Sequence, residues 1–303
     1  MATAVSTPPG QVRSGGASET PPARRRGLRG LRGINWLGGS MSWVWLLVVM
    51  IPIYWIVITS FKSSDNYFDA NPFMPPTAPT LDNYKLVVES DFIRYFGNSV
   101  AVAVGTVLPA LLFSFMAAYA IIRGQANSRF LRLSNGMFLM GLAIPLQAVI
   151  IPVYLIIIKL QMYDTLGAII LPSIGFAIPL SVLVLANFIR DVPKELFESM
   201  RMDGATEWGT LWHLAFPLTR PALVTVAIYQ GLQSWNNFLL PLVLTTAPEQ
   251  RTLPLALWTF QGQYGVNVPA VLASVVLTTL PILILYAVGR RQLLSGLTAG
   301  FGK

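Results

Sequence analysis

Six stretches of this chain, 41–61, 98–122, 133–158, 165–189, 221–246 and 267–289, contain none of its 13 acidic or 21 basic side chains. Each is long enough to cross a bilayer core as a helix, which takes about 20 apolar residues. Long buried helices of a soluble protein would need charged faces, and these stretches have none. The fold expected is therefore all-α, a polytopic membrane protein with six transmembrane helices. The 54% hydrophobic and 11% charged composition and the mean hydropathy of +0.59 lie far from the balance of a soluble domain.

Basic residues set the orientation, because Lys and Arg are retained on the cytoplasmic side. One set of loops holds Arg13, Arg24, Arg25, Arg26, Arg29, Arg32, Arg123, Arg129, Arg132, Arg190, Lys194, Arg201, Arg220, Arg290, Arg291 and Lys303. The other holds only Lys62, Lys85, Arg94, Lys159 and Arg251. Both termini and the loop 190–220 are expected in the cytoplasm. Charge retention and anionic lipid headgroups account for the net charge of +8, so membrane lipid rather than nucleic acid is the partner expected for the Arg24 to Arg32 cluster.

Residues 1–40, rich in Pro, Gly, Ser and Arg, have too few large apolar side chains to form a core. They read as a disordered, basic cytoplasmic tail, not a cleaved signal peptide, since the apolar run that follows is too long and ends on no small-residue cleavage pattern. Cysteine is absent, which removes disulfides, thiolate metal sites and a catalytic thiol. The single histidine, His213, has no second ligand of its kind, and no phosphate-cradling G-x-x-x-x-G-K-[ST] loop exists; the closing GFGK lacks the Ser/Thr. The chain reads as a non-enzyme with no metal site. Proton and cation relays place Asp, Glu or His within the bilayer, and here all 13 carboxylates lie outside it, which disfavours ion-coupled secondary transport; energy must come from elsewhere.

Every span contains proline: Pro52, Pro109, Pro145 and Pro152, Pro172 and Pro179, Pro241, Pro281. Each removes a backbone hydrogen bond and bends its helix, which suits a bundle around a water-accessible path and equally suits ordinary membrane helices.

The segment 198–221, ESMRMDGATEWGTLWHLAFPLTRP, is the most structured of the polar loops. Pro193 suits a first helical turn, Leu196 and Met200 share a face, and Gly204 is a natural left-handed stop. Thr206 can cap a second helix on which Trp208, Leu211, Trp212 and Ala215 form one apolar stripe, with Pro217 closing it. Such a pair can lie on a membrane surface or dock a partner.

At these residues the chain resembles a known family. Glu198, Asp203, Gly204, Ala205, Phe216, Pro217 and Pro221 stand at the spacing of the EAA motif of membrane subunits of binding-protein-dependent ABC importers. Ser199 and Met200 replace the two alanines of the motif name. SFKSSDNYF, PTLDNYKLV, FGNSVAVAV, IIPVYLIIIKLQMYDT, LPLALWTFQGQYG and SGLTAG look like the second permease subunit of maltose-type carbohydrate importers, over 61–303. The resemblance implies a type I ABC importer transmembrane fold over 41–303 in a prokaryotic plasma membrane. It also implies a homologous permease partner, two cytoplasmic ATPase subunits that bind ATP and Mg, and an extracytoplasmic sugar-binding protein. The chain itself would bind no cofactor. Glu198, Asp203, Gly204, Ala205, Phe216 and Pro217 would couple to the ATPase. The alternative solute is a polyol, glycerol phosphate or peptide.

In the fifth span Gln230, Gln233 and Asn237 recur on one face, beside Trp235. These amides can bind sugar hydroxyls, with Trp235 against a pyranose, or can hold helices together; Gln147 carries the same ambiguity. The loop 247–267 contains Trp258, Phe260, Gln261 and Tyr264. By resemblance it contacts the binding protein, and otherwise it forms an aromatic belt.

Overall fold

The computed structural model describes residues 36–65, 67–68, 71–124, 128–262 and 265–301. Residues up to Val49 and those from Met50 onward form two units. In the first, the N-terminal part of helix α1 (Trp36–Ser60) is apolar on every side; the Ser42 hydroxyl donates to the Gly38 carbonyl at 2.7 Å, which satisfies it within the helix. The helix begins within the stretch assigned to the tail, and 1–35 lie outside the described residues.

The second unit opens with the rest of α1, which ends in a knot of polar bonds. Asn83 on α2 (Asp82–Val87) donates to the Ser60 and Lys62 carbonyls at 2.9 and 2.7 Å, and buried Lys62 donates to the Asn71 and Pro72 carbonyls. A kink at Ser90 and Asp91 leads into α3 (Ile93–Arg123). Helices α4 (Arg129–Leu142) and α5 (Leu146–Lys159) follow, then α6 (Leu166–Asp191).

Helices α3 and α6 pack along much of their length through small residues. Ala110, Ser114, Ala118, Ala177, Ser181 and Ala186 are buried, and a Cβ on Gly105 would stand 2.9 Å from Ile170 Cδ1. Close backbone approach replaces the hydrophobic effect, which lipid does not supply.

The remaining helices are α7 (Lys194–Met202), α8 (Glu207–Thr210), α9 (Phe216–Trp235), α10 (Leu239–Leu244), α11 (Leu253–Ala256) and α12 (Val268–Phe301). A two-residue antiparallel ladder pairs β1 (Gln261–Gly262) with β2 (Gly265–Val266). Among the described residues the fold is all-α apart from this ladder.

Two expected spans are not continuous. The third breaks at 143–145, where α4 and α5 meet at a 107° bend. Pro145 cannot donate a backbone hydrogen bond and disfavours helix at the residue before it, and it serves as N-cap of α5. The fifth stops at Trp235 and resumes as α10, whose first turn tolerates Pro241 because its N–H would be unpaired there in any case. Among the described residues four helices are long and apolar enough to span a membrane, the bent pair adds a fifth, and Val268–Ile284 is a shorter apolar helix.

Candidate functional site

The loop folds as a compact knob. Helix α7 ends in a paired turn: the Gly204 N–H donates to the Arg201 carbonyl at 3.0 Å and the Ala205 N–H to the Met200 carbonyl at 2.9 Å. Gly204 has φ of +78°, a conformation that costs glycine little and a β-carbon much. Thr206 caps α8 by accepting from the Gly209 N–H at 3.1 Å.

Pro217 does not close the second loop helix. Residues Leu211–Ala215 form a π-helical turn that runs directly into α9, so one rod extends from Glu207 to Trp235. The wider turn shifts the hydrogen-bond register just ahead of the proline, where an α-helical carbonyl would meet its ring.

The apolar stripe is divided. Leu211 and Ala215 are buried with Phe115, Tyr119, Leu185 and Ile189 in the chain's own core, and Phe216 packs on Phe115 and Trp212 at ring-centroid distances of 5.9 and 5.3 Å. A different set is exposed: Leu196, Met202 at 88% and Trp208 at 59%, together with Glu198, Asp203 and Gly204. Pro217 is exposed and Ala205 half-buried. His213 is exposed, its Nδ1 3.0 Å from the Gly209 carbonyl.

Beneath the knob lies a cluster that pattern reading misses. The Tyr119 hydroxyl donates to Glu207 Oε2 at 2.8 Å, and Arg201 donates to Glu207 Oε1 through Nε and Nη2 at 3.1 and 2.7 Å. The Tyr119 bond first, and then the Arg201 fork, hold the Glu207 carboxyl below the usual carboxylate range. The Arg123 guanidinium sits 3.5 Å over the ring of buried Phe197, and its Nη2 donates to the Ile189 and Val192 carbonyls at 3.3 and 2.9 Å. The one signal in the sequence is an aromatic and a cation four residues apart at the end of a span.

Between the two helix breaks lies a polar cleft of about 550 Å³. Its walls include Gln147, Tyr229, Gln233 and Asn237. Irregular backbone at membrane depth is tolerated where it lines a cavity, and the residues flanking both breaks do so here. Thr106 and Ser234, also in the wall, have hydroxyls with no hydrogen-bond partner.

The amides of the fifth span separate into two kinds. Gln230 borders the cleft but is buried, its Nε2 donating to the Ala177 carbonyl at 3.0 Å and to Ser181 Oγ at 3.1 Å. Gln233 is exposed in the cleft wall, and Asn237 Oδ1 accepts from the Leu240 N–H at 3.3 Å in the first turn of α10. Trp235 is not part of the wall: it lies edge-on to Phe96 at 5.7 Å and donates from Nε1 to the Thr278 carbonyl at 3.3 Å. It therefore stands apart from the amides of the cleft wall.

The loop 247–267 is fastened to neighbouring elements. Asn98 donates to the Glu249 and Arg251 carbonyls, Ser99 accepts from the Leu253 N–H, and Asp164 Oδ1 accepts from the Thr246 and Ala247 N–H groups at 2.8 and 2.9 Å. Trp258 and half-buried Phe260 lie in the 3-10 turn Leu257–Phe260, and Gln261 opens the ladder. Tyr264 lies outside the described residues.

A knob on a rod that reaches a polar cleft between broken helices defines a multi-pass membrane permease rather than an enzyme. Residues 110–293 match the family of binding-protein-dependent transport system inner membrane components, and the chain belongs to that family. It is similar to the arabinooligosaccharides transport system permease protein AraQ of Halalkalibacterium halodurans, 35% identical over 84% of this chain and 91% of that protein. It is also similar to the diacetylchitobiose uptake system permease protein NgcG of Streptomyces coelicolor, 30% identical over 85% of each. Its fold matches the crystal structure of a bacterial ABC transporter involved in the import of the acidic polysaccharide alginate, with TM-score 0.74 and 22% identity over 84% of this chain and 95% of that one.

Proposed function

We propose that this chain is one of two permease subunits of an ATP-driven importer of neutral disaccharides or oligosaccharides in a prokaryotic plasma membrane. The observation that carries the reading is the continuity of one rod from the knob to the cleft wall. Glu198, Asp203 and Gly204, with Ala205 behind them, meet a cytoplasmic ATPase subunit, while Phe216 and Pro217 shape the support beneath. The two ATPase subunits bind ATP and Mg, and this chain binds neither. A homologous permease closes the other side of the cleft.

Sugar is the solute that the named relatives favour, and the lining agrees with it. Gln147, Tyr229, Gln233 and Asn237 are neutral donors and acceptors, suited to hydroxyl groups and unsuited to holding a phosphate or carboxylate. On the extracytoplasmic side, Trp258, Phe260, Gln261 and Tyr264 meet the sugar-binding protein.

The test is ATP-driven uptake by the complete complex in vesicles, with labelled arabinotriose, diacetylchitobiose and trehalose as probes beside glycerol 3-phosphate and a tripeptide. Saturable uptake of one or more of the sugars alone is expected. Uptake of the phosphate or the peptide with no sugar entering would overturn the sugar reading.

A further inference from the structure

We propose that Tyr119 and Arg123 form a latch that makes the knob and α3 move as one body, so that force on α7 reaches the bundle through α3 as well as along α9. The inference rests on the proposed docking of α7 to an ATPase. Helix α7 has one buried residue, Phe197, and its chain connection to the rod is the short turn Asp203–Thr206 around Gly204. A helix held by one ring, the glycine turn and the two-residue link Val192–Pro193 to α6 would still pivot about its ends when pushed, and part of the push would be lost before it reached the rod.

The latch closes that hinge from both sides. Glu207 uses one oxygen for Arg201, across the turn, and the other for Tyr119 on α3. One helical turn further along α3, Arg123 covers Phe197 and reaches the carbonyls at the end of α6. The ends of α3, α6 and α7 and the start of α8 therefore meet at two side chains of α3. Arg123 Nε is buried with no acceptor; the guanidinium plane is set by the ring and the two carbonyls rather than by pairing every donor. A planar fork does this in full, whereas a lysine ammonium keeps only the charge and a flexible donor. The direct contact with α3 makes Tyr119 and Arg123 positioning residues for the coupling step.

The absence of cysteine permits a clean measurement. Nitroxide labels at Ser199→Cys on α7 and Val100→Cys on α3, separated by about 35 Å of helix, report one distance in the full complex with its ATPases in lipid nanodiscs. It is measured without nucleotide and after trapping with MgATP and orthovanadate. The latch predicts an unchanged distance in the otherwise native chain. In Tyr119→Phe and Arg123→Gln the distribution broadens and shifts by several ångströms on trapping, and sugar taken up per ATP falls about tenfold, the size of an ordinary coupling term. Arg123→Lys recovers part of both. A distance that changes on trapping in the native chain, or stays fixed in both variants, overturns the proposal; so does a lower melting temperature with an unchanged distance and uptake per ATP. Gly204→Asp in the same preparation separates the two ideas: if it still assembles and couples, the docking reading fails, whereas if it fails while Arg123→Gln keeps the native distance, only the latch falls.

Discussion

At the loop end of the rod the Glu207 carboxylate has both oxygens engaged, one by α3 and one by α7. Near the other end the Ser234 hydroxyl has no partner, the helix stops one residue later, and the backbone does not resume as helix until Leu239. The same helix is tied down where it meets the knob and left incomplete where it meets the cleft. Rigid, well-bonded regions transmit displacement; broken helices with unpaired polar groups can rearrange or bind. The contrast agrees with the proposed roles, transmission at one end and passage of solute at the other.

Gly204→Asp attacks the knob directly and carries the largest expected effect. A β-carbon at Gly204 meets nothing within 4 Å inside the chain, so the new carboxylate projects outward from a backbone that already disfavours it. Uptake in reconstituted vesicles is expected to fall to background while the chain still inserts. Normal uptake would remove the knob from the coupling route.

Gln233→Leu tests the cleft. The Gln233 side chain is exposed in the wall and has no role in helix packing that the structure records. Uptake is expected to drop several-fold with the melting temperature of the complex unchanged. The reverse pattern, native uptake in a destabilised complex, would make the cleft amides packing groups.

Gln230→Leu, one turn away, sharpens the comparison with the smallest effect. Its loss breaks the bonds to Ala177 and Ser181, worth about 0.6–2 kcal/mol in membrane helices, so the melting temperature falls and uptake per assembled complex stays near native. Equal transport defects in the two variants would erase the distinction between them.

Much of the knob was readable from local chemistry. Gly204 and Thr206 mark a stop and a start because each acts on backbone groups within three or four residues of itself. Pro217 misled because a π turn, which leaves no residue signature, carries the helix past it. Gln230 and Gln233 have the same chemistry and helical period; only the position of α6 tells the bonded amide from the free one. Tyr119 and Glu207 are 88 residues apart and meet only when the fold is assembled. The stripe of Leu211 and Ala215 was visible as apolar, but periodicity does not say whether the chain's own core or a partner covers it.

The central claim, that α7 is where an ATPase grips this chain, is tested most directly by photo-crosslinking. Met202, 88% exposed at the end of α7, is replaced by cysteine in this cysteine-free chain, labelled with benzophenone maleimide, and irradiated in the assembled complex. The account predicts that the covalent product joins this chain to an ATPase subunit and that the cysteine is labelled only from the cytoplasmic side. Labelling from outside intact cells, or a product formed only with lipid or the second permease, would contradict it.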